Sequence, residues 1–225
     1  MFETATPDTI SVVKPVLRGW FHAIAAVMSL PVLAILLWRS RTDPVKALTL
    51  GIFGLSMIEL YSISALYHIG NWSPRVKAIL RTIDHANIFL FIAGTYTPLT
   101  INLLTGGWRI TLIVLIWSLA AGGFIVAAFT TRLPRWLSPA LYVAMGWVAL
   151  LAFPAFVQAA SWRLVLTLIG GGALYTSGAL IYGRRWPNPS PRIFGFHEIF
   201  HLFIIAGSAV FFIAMFVWVL PAQRG

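Results

Sequence analysis

The sequence contains no cysteine and has few charged residues. Of its 225 residues, only 10% are Asp, Glu, Lys or Arg, whereas soluble proteins average about 25%. The absence of cysteine excludes disulfides, thiolate metal ligands and cysteine nucleophiles. Any bound metal must therefore be held by histidine, carboxylate or water, and the chain has only five histidines.

Apolar residues dominate what remains, at 59% of the chain with a mean hydropathy of +0.86. Because about 20 apolar residues cross a bilayer as one helix, the sequence predicts an all-α, polytopic membrane protein. We expect a single domain over residues 1–225, with a tail at 1–17 and seven helices forming a bundle. The helices are predicted at approximately 19–38, 47–68, 82–104, 110–130, 137–158, 163–183 and 196–220.

The net charge of +10 comes from Lys and Arg in the short gaps between apolar runs. This pattern is typical of topology signals and of contact with anionic lipid head groups, and it does not indicate nucleic-acid binding. With the N-terminus inside, ten of these residues are cytoplasmic and six are external, a count that includes Arg132, Arg135 and Arg224. The N-terminus is therefore predicted to be cytoplasmic and the C-terminus outside.

Ionisable side chains inside the predicted helices need a partner or a task, because burying one in a bilayer costs about 2.5–3.5 kcal/mol on insertion scales. Prolines at positions 31, 98 and 154 also fall inside predicted helices, where each is expected to disturb the backbone. The ionisable candidates are His22, Glu59, His68, Asp84, His85, His197, Glu198 and His201.

Several of these residues agree in their depth in the membrane. His68 ends the second predicted helix, Asp84 begins the third, and His197 begins the seventh. Since the second helix runs inward and the other two run outward, all three side chains are expected in one layer near the cytoplasmic side. His201 belongs to this layer because residues four apart share a helix face.

Three imidazoles from His68, His197 and His201 would make a zinc site of the catalytic type, in which an open fourth position admits water. Asp84 is expected to act there as a base, to orient the water or to bind the metal directly. Ser64, one turn before His68, is expected to orient the water or to meet a substrate carbonyl.

Three patches of sequence carry a resemblance to a known family. They are Ser64-x-x-x-His68, the Asp84-His85 pair followed by Ile92-Ala93-Gly94-Thr95-Tyr96-Thr97-Pro98, and His197-x-x-x-His201. Together they resemble the signature patches of the hemolysin III branch of the progestin and adipoQ receptor family.

The resemblance implies a seven-helix bundle with a cytoplasmic N-terminus, in a bacterial inner membrane. It also implies a Zn²⁺ ion held by residues matching His68, His197 and His201, with Asp84 beside the metal water. Adiponectin-receptor and alkaline-ceramidase relatives are linked to hydrolysis of lipid amides, whereas bacterial members were named for haemolysis.

Three functions remain open from the sequence. The first is a zinc-dependent hydrolase, or a hydrolase-like receptor, that takes a ceramide-like lipid or a free fatty acid. The second is a non-enzymatic lipid sensor or pore with a structural metal site. The third is an ion or proton transporter that uses Glu59 and the region of Asp84 as a relay. The sequence does not specify an oligomeric state.

The remaining ionisable residues are expected outside the metal-binding set. Glu198 completes a His-Glu-x-x-His pattern typical of zinc proteases. We favour instead a carboxylate that supports the metal site without binding the ion, one that pairs with an arginine such as Arg192, or one that is solvated at the helix start. Glu59 is rotated about 180° from His68 on a straight helix. His85 is expected to bond backbone or a neighbouring helix, and no motif includes His22.

Overall fold

The computed structural model describes residues 14–129 and 137–223. Within these ranges it contains seven helical spans that are long and apolar enough to cross a membrane, which confirms the predicted all-α arrangement. The helices are α1 (Trp20–Ser40), α2 (Pro44–Ile69), α3 (Pro74–Leu103), α4 (Gly106–Phe129), α5 (Leu137–Gly146), α6 (Phe153–Ala159), α7 (Trp162–Arg184) and α8 (Phe196–Ala214).

Some expectations fall outside the described residues. These are most of the tail at 1–17, the last residue of the helix predicted at 110–130, and Arg132, Arg135 and Arg224 from the charge count. The orientation of the termini and the single-domain assignment stay predictions.

Helices α2 and α3 begin earlier than predicted, each after a capping side chain, and α4 also begins earlier, at Gly106 instead of residue 110. The Ser73 side chain accepts a hydrogen bond from the backbone N–H of Val76 at 3.5 Å, and α3 begins at Pro74 instead of residue 82. In the same way, the Asp43 carboxylate accepts from the N–H of Lys46 at 3.0 Å ahead of α2. Such caps and a proline in the first turn define a helix start that hydropathy alone misses.

The fifth span is interrupted just before its proline, which was expected to disturb the helix predicted at 137–158. A 3₁₀ turn, Trp147–Ala152, separates α5 from α6, and Pro154 lies in the first turn of α6. The Tyr96 hydroxyl of α3 accepts from the N–H of Ala149 and donates to the carbonyl of Gly146, both at 2.7 Å. Backbone groups released by the break are thus satisfied inside the protein, as a membrane requires. Pro31 and Pro98 lie within continuous helices.

Helix α3 is central and α1 is peripheral. About four fifths of the apolar window of α3 is buried (78%), against 22% for α1. At the contact between α2 and α3, a Cβ added to Gly94 would lie 2.3 Å from the Ser56 Oγ and 3.4 Å from the Ile52 carbonyl oxygen. The glycine therefore permits close approach of the two helices, which sets the register between the residues they carry.

At the end of the bundle away from the histidines, a buried lysine joins the start of α2 to the end of the seventh span. Lys46, in the first turn of α2, donates to the carbonyl of Leu220 at 2.9 Å and to that of Ala222 at 2.7 Å. These carbonyls follow the π-helical turn Met215–Val219, which ends the seventh span. A cation at this position satisfies backbone acceptors that the helix leaves open.

We predict that Gly94→Leu lowers the free energy of unfolding by about 1–3 kcal/mol, because the added side chain overpacks the contact between α2 and α3. The measurement is the midpoint of thermal unfolding in detergent. Gly122→Leu is the matched control, since a Cβ at Gly122 meets nothing within 4 Å. Equal midpoints for the two variants would contradict the close approach.

Candidate metal centre

Three histidines from two helices converge at one end of the bundle. His68 lies in the last turn of α2, and His197 and His201 lie in the first two turns of α8. One ring nitrogen from each histidine can be chosen so that all three nitrogens lie within 4.8 Å of one another. The Nε2 atoms of His68 and His197 are 3.1 Å apart.

This arrangement suits a small divalent ion. Zinc binds imidazole nitrogen at about 2.0–2.1 Å, so ligand nitrogens around a tetrahedral ion lie about 3.3 Å apart. The 3.1 Å between the Nε2 atoms of His68 and His197 is close to that value. The Nδ1 of His201 is buried and has no hydrogen-bond partner among the described residues, and a buried polar atom of that kind needs a partner.

Asp84 lies beside this cluster, as its predicted depth required. Its Oδ2 is 4.0 Å from the Nε2 of His68 and 3.9 Å from the Nδ1 of His85. These distances are too long for direct hydrogen bonds. The Ser64 side chain is buried one turn before His68 on α2, next to the Asp84 carboxylate. The structure thus brings together every residue that the sequence selected for the site, while their catalytic and metal-binding roles stay predictions.

His85 bonds backbone, as expected. Its Nδ1 lies 2.7 Å from the carbonyl oxygen of Arg81, one turn earlier in α3. Because a carbonyl only accepts, the Nδ1 carries the proton that it donates there. This contact holds the ring on its own helix.

The sequence argument left out His22, which the structure places against the site. Its ring stacks on that of His201, with centroids 3.7 Å apart and an interplanar angle of 11°. Its other face lies near Tyr61, at a centroid distance of 5.0 Å. His22 is buried, and neither ring nitrogen makes a hydrogen bond of ordinary geometry with the described residues. The sequence did offer one sign of this placement, because His22 lies in the first span at about the same expected depth as the other histidines.

Glu198 has a different partner from the one expected. The Arg18 guanidinium, not that of Arg192, donates to its Oε1, and the N–H of Gly195 donates to its Oε2 at 2.8 Å. Glu198 is fully buried. Both oxygens of the carboxylate are thus bonded to groups around the start of α8.

Backbone pairing explains why Arg18 replaces Arg192. The N–H of Val16 donates to the carbonyl of Arg192 at 3.0 Å, and that of Leu17 donates to Ile193 at 3.2 Å. This pairing places the segment before α1 alongside the loop before α8, while Arg192 itself is exposed.

Lys14 connects the segment before α1 to the end of α2 as well. Its ammonium donates to the carbonyl of Ile69 at 2.9 Å, directly after His68. Partial burial lowers the pKa of Lys14, and the nearby charges of Lys77 and Arg18 lower it further. The residues before α1 thus contact the ends of both helices that carry the histidines.

Beyond the histidines lies a layer of hydroxyl groups. Tyr61 donates to the Ser208 Oγ at 2.6 Å, and the Tyr175 hydroxyl lies 3.0 Å from the same atom. A cavity of about 140 Å³ adjoins this layer between α1, α2 and α8. It is lined by Ala25, Met28, Ser29, Val32, Met57, Tyr61, Ile205, Ser208, Ala209 and Phe212.

The chain as a whole is similar to known proteins. The family model described as haemolysin-III related matches residues 10–212. Hemolysin-3 of Bacillus cereus is 34% identical over 227 residues, covering 98% of this chain and 99% of the relative. The chain belongs to the haemolysin-III-related family.

Other members of this family are also similar. The Hemolysin-3 homolog of Bacillus subtilis (strain 168) is 36% identical over 196 residues, covering 85% of this chain and 87% of that protein. The human Monocyte to macrophage differentiation factor is 27% identical over 187 residues, covering 80% and 74%. The resemblance found in the sequence patches is confirmed. A haemolysin-III-related chain with seven spans is a multi-pass integral membrane protein, and the Bacillus relatives are consistent with the bacterial plasma membrane.

For this haemolysin-III-related protein, we predict that Glu198→Gln lowers the free energy of unfolding by about 3 kcal/mol. Removing the charge leaves the Arg18 guanidinium without its buried partner. Thermal unfolding in detergent measures the effect. Arg192→Met, which removes the partner expected from the sequence, should change the midpoint little. A larger loss for Arg192→Met than for Glu198→Gln would contradict the ion pair.

Proposed function

We propose that the protein is a zinc-dependent hydrolase that cleaves the amide bond of a ceramide-like membrane lipid on the cytoplasmic side of the bilayer. The observation that supports this best is the convergence of three imidazoles with a carboxylate and a hydroxyl in one layer of the bundle. A structural metal site needs only ligands, whereas a hydrolytic site also needs a proton acceptor next to the ligands.

In this proposal His68, His197 and His201 hold the ion. Three neutral imidazoles are the ligand set of catalytic zinc sites that keep one position open. When bound, zinc supplies polarisation of a carbonyl oxygen and activation of water near neutral pH. His22 supports the site from behind, because its ring lies flat against that of His201 and limits the rotation of that ligand.

Asp84 is the proposed general base. As a water molecule attacks the amide carbonyl carbon, the Asp84 carboxylate accepts the proton that the water releases. The same carboxyl then returns a proton to the amide nitrogen as the C–N bond breaks, which yields a fatty acid and an amine. Ser64, which lies next to Asp84, is the group that would orient this carboxylate.

The cavity between α1, α2 and α8 supports a lipid substrate. An apolar cavity of about 150 Å³ is large enough to bind a benzene-sized group, and this one measures about 140 Å³. Met28 at its margin is 56% exposed on the outer surface of α1, the surface that faces lipid in a membrane. Ile205 lies one turn beyond His201. An acyl chain held here would bring its carbonyl end toward the histidines.

A second candidate is a lipid-sensing or membrane-lysing protein with a structural metal. It is favoured by the 4.0 Å separation of Asp84 and His68, since a small movement would make the carboxylate a fourth ligand and close the site. The two Bacillus relatives carry the name hemolysin.

For the transporter alternative, Glu59 lies on the exposed surface of α2, away from Asp84, so the two groups do not adjoin as a relay.

We predict that purified protein contains about one zinc per chain and that His201→Ala loses it. Asp84→Asn should keep the metal, because the ligands remain, but should release at least about 100-fold less fatty acid from ceramide. Elemental analysis measures the metal, and mass spectrometry measures fatty acid released from short- and long-chain ceramides.

His85→Ala is the matched control, since it removes a histidine near Asp84 that is held by its own backbone. It should keep both metal and turnover. Metal retained in His201→Ala would overturn the proposed site. Metal bound as predicted, with no product from any ceramide, would overturn the hydrolase and favour the structural site. Metal lost in Asp84→Asn would identify the carboxylate as a direct ligand.

A further inference from the structure

Helix α2 carries an exposed stripe that no described helix covers. The outer stripe consists of Leu48, Ile52, Leu55, Glu59, Ser62 and Leu66. The leucines at positions 48, 55 and 66 are 66%, 60% and 45% exposed. Successive members alternate between four and three residues apart, which is the spacing of a seam between two helices.

Glu59 lies near the middle of this stripe and of the membrane. It is ten residues before the end of α2 at Ile69, or about 15 Å along the axis, half the thickness of a hydrocarbon core. Its side chain is exposed and has no hydrogen bond or ion pair with the described residues. A carboxyl facing lipid tails is costly whether charged or neutral, because the tails offer no hydrogen bonds.

We propose that the outer stripe is the interface of a parallel homodimer, in which protonated Glu59 carboxyls hydrogen-bond across the two-fold axis. Two copies inserted with the same topology run parallel, so their symmetry axis follows the membrane normal. Each residue of the stripe then faces its own counterpart. Helices in membranes associate through such packing and through polar side chains that bond across the contact.

A second copy fits Glu59 better than other occupants. A protonated carboxyl carries one donor and an acceptor, so two of them satisfy each other without a further group. Ser62, three residues later on the same stripe, offers another donor and acceptor within the contact. Lipid tails supply neither. Leucines on both sides of Glu59 complete an apolar seam, in which one polar position fixes the register.

The natural chain is convenient for a crosslinking test because it contains no cysteine. We compare Leu55→Cys in the outer stripe with Val114→Cys on α4, residues that are 60% and 58% exposed. After oxidation in proteoliposomes, the disulfide-linked dimer should be at least about fivefold more abundant for Leu55→Cys, because only that position lies within the seam. Equal linkage at the two positions would overturn the interface.

Glu59 itself is tested by single-molecule photobleaching of labelled protein in lipid vesicles. Glu59→Leu should lower the dimer association constant by about tenfold, since it keeps the apolar seam and removes the hydrogen bonds. Glu59→Gln should stay within about threefold of the natural chain, because an amide also donates and accepts. Both substitutions leave the histidine cluster untouched, so zinc content should not change.

Three results would overturn the proposal. An unchanged dimer in Glu59→Leu would show that the carboxyl does not bond the second copy. An equal loss in Glu59→Gln would show that a neutral donor and acceptor are insufficient. A natural chain that stays monomeric at every protein-to-lipid ratio would exclude the homodimer.

Discussion

The constraint on which this structure depends is that a bilayer offers no hydrogen bonds to a polar side chain. Every histidine, carboxylate and hydroxyl in the seven spans must be satisfied by the backbone of its own helix, by another helix, by a bound ion or by a second molecule. The chain meets much of this demand by placing its described histidines, Asp84 and Glu198 at one end of the bundle. Three histidines and Asp84 lie together there, and Glu198 is bonded to Arg18 close by.

Central placement of α3 makes this gathering possible. Because α3 is the most deeply buried span, a residue in its early turns can contact the end of α2, and Tyr96 farther along can bond the interrupted fifth span. The close approach at Gly94 fixes α2 against α3 and so sets the position of Asp84 relative to His68. At the opposite end, Lys46 joins α2 to the end of the last span. Both ends of α2 therefore contact the last span, one through the histidine cluster and one through Lys46.

Sequence reasoning identified the residues whose position depends on local geometry. His197 and His201 share a helix face because they are four residues apart. A shared depth for His68 and Asp84 was expected from where the apolar runs end and begin, although α3 itself starts ten residues before Asp84, at Pro74. His22 and the partner of Glu198 were missed because both depend on which helix packs against which. The pairing of Val16 and Leu17 with the loop before α8 has no signature in the sequence.

The sequence by itself determined that the chain crosses a membrane seven times, at which depth its ionisable groups lie, and which face of its helix each occupies. These properties follow from hydropathy, the rise of the helix and its 3.6-residue period. Only the tertiary structure decided the azimuth of each helix and the identity of its neighbours, and hence the stacking of His22 on His201 and the outward direction of Glu59. Those features depend on side-chain packing between spans distant in sequence, which a local pattern does not encode.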